Sequence, residues 1–329
     1  MLYIHGFGHA HPPTEITNGF LISLNGNGPE SHLIHRLGIL CRRTVLPLDY
    51  IRRTLNANPW EAAAVASQTP TTLGATAARM AMERAAISPN DIDLVLGSCC
   101  TPRQTMPAEA QRIASELGIR CRAFDLFSSS VGFALLSDYL QTLQVERVPR
   151  FALCVCTATF TTVVNYANPV DAAIWGDGAA AWIVSPEPPA KGLRILHTCY
   201  GSDPRRCDTI TIDRFGHFHQ DGIAVGHFSI GQTVKLVRSL RQMFDLDWKN
   251  AYFVGHQSNV RALDTICRIE GIPPERHLSN VSCIGNQAGA GAPASLSMNW
   301  ERIEPGARLA VAVVGAGLSW GSVLLEAVG

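Results

Sequence analysis

Phe124-Asp125-Leu126-Phe127-Ser128-Ser129-Ser130-Val131-Gly132-Phe133 decides the fold. Arg122 to Leu126 reads as a short strand and Val131 to Leu143 as a helix, so the serine run fills the turn between them. A strand end opening into a helix is where an α/β protein places its chemistry. Two further segments have the same character. Val254-Gly255-His256-Gln257-Ser258-Asn259-Val260-Arg261 and Ile284-Gly285-Asn286-Gln287-Ala288-Gly289-Ala290-Gly291-Ala292-Pro293 each flank an apolar stretch and lead into a helical one. Taken singly, each polar residue has an ordinary reading. Ser130 caps a helix, His256 is a structural imidazole, and Asn286 is a turn residue. Taken together they form one polar cluster split across the chain. At a helix N-terminus Ser130 would meet positive potential and a free N–H, which favour an anionic nucleophile or a developing oxyanion.

The composition suits a large folded core. Of 329 residues, 47% are hydrophobic and 16% charged, enough for one large or two medium domains. Net charge is zero, so no basic footprint invites nucleic acid. No apolar run reaches membrane-spanning length, and no membrane association is expected. Met1-Leu2-Tyr3-Ile4-His5-Gly6-Phe7-Gly8 lacks a basic n-region and a long apolar h-region, so no secretion signal is read and a cytoplasmic location is expected. The ten cysteines lack paired C-x-x-C spacing and are expected to be reduced, mostly buried small apolar residues. Cys154 and Cys156 are expected on opposite faces of a strand.

Outward from the three segments the chain alternates strands and helices. Helices are predicted over 72–87, 107–117, 232–244, 261–269 and 287–300. Strands are predicted over 94–97, 151–156, 179–184, 252–254, 309–314 and 322–327. Pro107 is placed at a helix start, where its missing N–H costs nothing. Ser185-Pro186-Glu187-Pro188-Pro189 reads as a linker. It divides the chain into 1–185, carrying Ser130, and 186–329, carrying His256 and Asn286. Two βαβα-like halves predict stacked α/β layers with a buried helix between sheets.

The order and spacing of Ser130, His256 and Asn286 resemble the Cys-His-Asn triad of the β-ketoacyl-acyl carrier protein synthase III family, within the thiolase superfamily. His256-Gln257-x-Asn259-x-Arg261, Gly176-Asp177-Gly178-Ala179 and Gly315-Ala316-Gly317-Leu318-Ser319-Trp320-Gly321-Ser322 match further family landmarks, so the resemblance runs from Arg36 to Ser322. It implies an α/β fold, a five-layered αβαβα sandwich of two similar halves. It implies acyl transfer and decarboxylative Claisen condensation of an acyl thioester with a malonyl-type thioester, in fatty-acid or polyketide-type biosynthesis. Ser130 stands where the family has its nucleophilic cysteine. His256 and Asn286 would donate hydrogen bonds to the thioester carbonyl, and the N–H groups of Ser130 and Ala316 would form the oxyanion hole. The family usually has glycine where Ala316 stands.

The resemblance also implies substrate contacts and partners. Arg36, Asn259 and Arg261 fall at positions that bind coenzyme A or phosphopantetheine, while Arg42 and Arg43 belong to the same matched segment. Met106 aligns with the segment that plugs the partner's acyl pocket across a homodimer, and Trp175 would narrow that pocket. Phe151–Cys156 is the strand expected to pair across the two-fold axis. Lys235, Arg238 and Arg241 form a basic stripe on a predicted helix, either a solvated face or a docking site for an acidic acyl carrier protein. The donor end departs from the family. Its adenine-stacking tryptophan becomes His32, and the opposing arginine aligns with Pro169. Stacking or cation–π contacts contribute about 0.5–2 kcal/mol each, so coenzyme A should bind less well and a carrier-bound acyl donor is implied. No tightly bound cofactor is expected; acyl-CoA or phosphopantetheine-linked thioesters are substrates. His217, His219 and His227 lack a carboxylate or cysteine at ligand spacing, and a loop near the substrate tunnel is expected rather than a metal.

Serine changes the first step. A cysteine near a helix N-terminus is partly thiolate, whereas a serine hydroxyl needs a general base, and only His256 is at hand. Three readings stay open: a natural serine with His256 as its base, in an acyltransferase without condensation or a slow synthase; an engineered replacement; or a silent partner subunit.

Overall fold

The computed structural model describes residues 1–25, 31–214 and 216–329, the side chains of 25 and 31–33 excepted. The first half supplies β1 (Leu2–Ala10), β2 (Thr14–Thr17), β3 (Cys41–Thr44), β4 (Leu94–Cys99), β5 (Arg122–Asp125), β6 (Ala152–Thr159) and β7 (Asp177–Ser185). The second supplies β8 (Gly192–Ser202), β9 (Ile210–Ile212), β10 (Phe218–Gln220), β11 (Ala251–Gly255), β12 (Arg308–Gly315) and β13 (Ser319–Val328). The helices are α1 (Asn18–Asn25), α2 (Ser31–Arg36), α3 (Leu48–Thr54), α4 (Pro59–Val65), α5 (Pro70–Ala85), α6 (Glu109–Leu117), α7 (Gly132–Thr142), α8 (Pro169–Ala172), α9 (Gly222–Phe244), α10 (Val260–Glu270), α11 (Val281–Ile284) and α12 (Gly291–Met298). Among the described residues no helix is long and apolar enough to cross a membrane.

Nine strands join in the order β11-β12-β13-β8-β1-β7-β6-β4-β5. The seam is β1–β8, antiparallel, with Leu2 opposite Ile195. Outward from it both halves repeat one pattern. β1-β7-β6 and β8-β13-β12 are antiparallel, and β6-β4 and β12-β11 are parallel. The first half adds β5, parallel to β4. The second half reduces the matching strand to one parallel bridge, Phe253–His277. Helices α5 and α6 cover one outer face, α9 and α10 the other, and α7 and α12 touch strands of both halves, which form the two sheet layers of the sandwich. The result is the expected five-layered thiolase-like sandwich.

Local chemistry explains this packing. Thr69 and Thr72 form a capping box at the start of α5, with Pro70 at the first helical position. Its alanine run faces β1 because the two backbones nearly touch. A Cβ at Gly8 would lie 1.9 Å from the Ala77 carbonyl oxygen. Between the sheets, Trp182 is fully buried, with Phe133 edge-on at 4.9 Å.

Several expectations need correction. Cys154 and Cys156 share one face of β6 and one cluster with Trp182, while Leu153 and Val155 face the other. Strand side chains repeat every two residues, so neighbours at i and i+2 cannot oppose. β6 is also no edge: β7 and β4 flank it, which removes 151–156 as a strand free to pair across a two-fold axis. The edge of the first half is β5. Pro107 lies before α6, whose N-cap is Ala108. The predicted helix 287–300 breaks into a turn at 288–290, α12, and a second turn at 300–302. All ten cysteines are free, but only Cys99, Cys154 and Cys156 are buried, so most are not the buried residues expected.

Candidate active site

Ser130 sits in a tight turn, Ser129–Val131, that feeds directly into α7. Ser129 has φ +41°, a strained position for a residue with a Cβ. Gly132 lets this helix start press on the sheet: a Cβ there would lie 2.8 Å from Cys156 Sγ and 2.9 Å from Ser98 Oγ. His256 directly follows β11, and its N–H donates to the Ala312 carbonyl on β12 at 2.9 Å. Three residues along that strand, a Cβ on Gly315 would lie 3.0 Å from the Ser130 nitrogen. Gly289, just past Asn286, abuts the Ser129 carbonyl, with a virtual Cβ 2.9 Å from its oxygen. The three sequence-predicted segments thus meet at the C-terminal end of β12. Ser130 and Asn286 each precede a central helix, α7 and α12.

Burial lowers the His256 ring to about 4, so it is neutral at physiological pH. Its Nδ1 is buried without a partner. Among the described residues no hydrogen bond joins the Ser130 hydroxyl to His256. Asn286 is fixed by its backbone, which donates to Ile174 O and accepts from Gly176 N, both at 2.9 Å. Its Oδ1 accepts from Ala288 N at 2.9 Å, which leaves the Nδ2 amide to donate elsewhere. Contrary to expectation, a short helix, α11, rather than a strand precedes Asn286.

Gly176-Asp177-Gly178 is more than a turn. A Cβ at Gly176 would lie 2.1 Å from Ile284 O, and one at Gly178 2.2 Å from Gln287 Nε2. Both glycines are needed for the Asn286 segment to dock. Asp177 accepts from the Val45 and Thr161 amides and the Thr161 hydroxyl. Gln287, which sequence reasoning passed over, donates from one amide nitrogen to Asp177 O and to His11 Nδ1, both at 2.7 Å. Its position after the asparagine was the only signal. Gln257 is also structural, accepting from Ser279 Oγ, Asn280 N and Val281 N.

A cleft of about 1070 Å³ opens beside Ser129, lined among others by Cys100, Met106, Phe127, Tyr200 and Ala316. Met106 is 80% exposed here and Phe127 63%. Trp175 does not line the cleft. It stacks on Phe160 at 3.8 Å and meets Phe218 edge-on, so it backs the wall. Ala316 has no positive φ; Gly317 carries it, at +126°, so alanine fits the loop.

A second cleft, about 600 Å³, is lined by Arg36, Leu37, Val170 and Arg261. Arg261 Nε donates to Arg36 O at 3.1 Å. The helix carrying His32 contacts α8, which starts at Pro169, so these two positions belong to one neighbourhood; the His32 side chain lies outside the described residues. Asn259 caps α10, accepting from Ala262 N. Arg42 is fully buried and holds Ala173 O and Asn18 Oδ1, a structural task. Arg43 pairs with Glu15. Of the basic stripe on α9, Arg238 and Arg241 both reach the buried Glu270, at 2.8 and 3.5 Å, and Lys235 is exposed. Much of the stripe therefore clamps α9 to α10. His217 Nε2 meets Asn56 O at 2.7 Å, His219 lies on β10, and His227 is exposed on α9.

Comparison with known proteins follows this geometry. The model for 3-oxoacyl-[acyl-carrier-protein (ACP)] synthase III matches residues 124–204, and that for its C-terminal region matches 246–327. β-Ketoacyl-[acyl-carrier-protein] synthase III of Brucella suis is 31% identical over 278 residues, 79% of this chain and 84% of the relative. The chain belongs to the 3-oxoacyl-[acyl-carrier-protein] synthase III family. It is thus of a family of enzymes, transferases by class. The synthase III of Sphingopyxis alaskensis is 27% identical over 98% of both chains. The synthase III of Pseudomonas aeruginosa PAO1 superposes with a TM-score of 0.83 at 25% identity, covering 99% of this chain and 98% of that one. That of Aquifex aeolicus shares the fold, with a TM-score of 0.86 at 22% identity over 99% and 100% of the chains.

Proposed function

We propose that this synthase III takes an acyl group from a thioester onto Ser130 and condenses it with a malonyl-type thioester, losing CO₂. The observation that carries this reading is the meeting of the segments that bear Ser130, His256 and Asn286 at the end of β12. The Ser130 oxygen attacks the thioester carbonyl, its proton passes to His256, and the departing thiolate leaves with that proton as a thiol. The imidazole is then neutral again. His256 and the Asn286 amide donate to the malonyl thioester carbonyl, stabilising the enolate left by CO₂. The enolate carbon attacks the Ser130 ester, and the departing serine alkoxide takes a proton from solvent. The N–H groups of Ser130 and Ala316 serve the developing oxyanion.

The phosphopantetheine arm enters past Arg36, Asn259 and Arg261, and the acyl chain occupies the main cleft, whose lining Phe160 and Phe218 are backed by Trp175. The donor rides on an acyl carrier protein, because His32 and Pro169 supply no stacking pair for adenine. Lys235, with the half-exposed Arg238 and Arg241, meets that acidic carrier. The active form is a homodimer in which Met106 faces the partner's cleft. An oxygen ester is a poorer acyl donor to carbon than a thioester, and this favours a second reading, acyl transfer to a hydroxyl or amine without condensation. The intact His256–Asn286 pair speaks against a silent subunit.

The test incubates the protein with acyl-CoA and acyl-carrier thioesters, follows intact mass, then adds malonyl-carrier. An acyl mass on the peptide bearing Ser130, followed by a β-keto product, is expected. Acylation without CO₂-linked product selects the transferase reading. No acyl mass from either donor sinks both.

A further inference from the structure

Tyr200, Ser128 and Ser319 form a line of hydroxyls from the main cleft to the loop that holds Ala316. Ser319 Oγ donates to the Ala316 carbonyl. Ser128 Oγ donates to Ser319 Oγ at 3.4 Å, and Tyr200 Oη lies 3.1 Å from Ser128 Oγ. A hydroxyl has one proton to give. Ser319 spends its own on the carbonyl and Ser128 its own on Ser319, so Tyr200 must be the donor to Ser128. The direction of the whole chain is fixed: Tyr200, Ser128, Ser319, Ala316.

The loop is shaped for this contact. Gly317 has φ +126°, and a Cβ there would lie 2.7 Å from Ser319 Oγ, so any larger residue would displace the hydroxyl. Ser128 and Ser319 are buried, at 7% and 4% exposure, where a hydroxyl without a partner is costly. Tyr200 is 37% exposed and lines the cleft. The chain also links β8, the residue before the Ser129–Val131 turn, and the start of β13, from which it reaches Ala316 in the β12–β13 loop. It therefore fixes the Ala316 loop relative to the Ser130 turn, two segments that must hold one oxygen between them.

We infer that Tyr200, Ser128 and Ser319 are positioning residues that set the Ala316 backbone at its working distance from Ser130 during acyl transfer. This rests on the proposed acylation of Ser130. Because the three act in series, breaking one link should lose most of what breaking two would lose.

The experiment measures single-turnover acylation by a carrier-bound acyl thioester over a range of donor concentrations, for wild type, Tyr200→Phe, Ser319→Ala, the double variant, and Ser319→Thr. Thermal unfolding is followed in parallel. Losing an oxyanion donor outright costs roughly 10²–10³ in rate, so loosening its support should cost about tenfold in Ser319→Ala and less in Tyr200→Phe. Half-saturation should stay unchanged, the double variant should match Ser319→Ala, and Ser319→Thr should recover most of the rate. Multiplying losses, a loss seen only in half-saturation, or no loss in a folded Tyr200→Phe would overturn the inference. Should Ser319→Ala fail to fold, the Tyr200→Phe and Ser319→Thr arms decide. Wild-type protein that never gains acyl mass fails the function reading itself, and this inference with it, at a separate step.

Discussion

The Ser130 hydroxyl stays protonated at neutral pH, and the base proposed for it is His256, which is held beside β12 by its N–H to the Ala312 carbonyl. Burial lowers that ring to about 4, which makes it a good neutral donor and a weak base. That favours the proposed decarboxylation and slows the proposed acylation of serine. Ser130→Cys should therefore raise condensation by well over tenfold, since each 1.4 kcal/mol off a barrier is about a factor of ten. Steady-state CO₂-linked product formation by the two forms is the comparison. Equal rates would mark the chain as a true serine ketosynthase. The same burial predicts pH behaviour. The folded ring stays neutral down to about 4, while the unfolded ring protonates near 6.5. Stability is thus fully present above 6.5 and lost as pH falls toward 4, by about 1.4 kcal/mol per pH unit for each such ring. His11, lowered to about 3 by burial and by its neighbours His9 and Arg43, adds to the slope. Urea midpoints at pH 7 and pH 5 should differ accordingly, and His11→Leu should flatten the profile. A slope that His11→Leu leaves unchanged would count against the buried neutral ring.

Elements here approach to distances that only glycine permits. Gly8 on β1 faces the Ala77 carbonyl of α5 so closely that a Cβ would lie 1.9 Å from its oxygen. Gly8→Ala must push the helix off the strand, and a loss of about 3 kcal/mol or more is expected, at the upper end for overpacking. Gly226 in α9 meets nothing within 4 Å. Gly226→Ala should be neutral or stabilise by up to about 1 kcal/mol, through helix propensity alone. Denaturant midpoints of the pair measure the contrast, and similar effects at both sites would refute the close-contact account. Sequence pattern found most of these elements, because α5 carries its alanines and its cap locally. It did not find β1 or β8, whose neighbours lie far along the chain.

At the scale of the molecule, the proposed homodimer turns on the edges of the sheet. β5 ends one side of it with only β4 as a neighbour, and Phe127 and Met106 are exposed nearby in sequence or along the adjoining cleft. An unpaired edge strand invites pairing. Light scattering at micromolar concentration should give twice the 35.6 kDa chain mass. A monomer would contradict both the dimer and the role given to Met106. The three segments that meet at the end of β12 were legible from the sequence alone, because a strand end, a turn and a helix start are local patterns, and Ser130, His256 and Asn286 each sit in one. The layered fold was legible for the same reason, through alternating periodicities. Strand order was not, because β6 looks as apolar in an interior position as at an interface. Nor was the division of labour among polar groups: Arg42 turned inward, Arg238 and Arg241 drawn to Glu270, Trp175 stacked behind the cleft. Sequence determined which residues could do chemistry here. Tertiary structure decided their protonation, their partners and their edges, because burial and pairing depend on segments that only folding brings together.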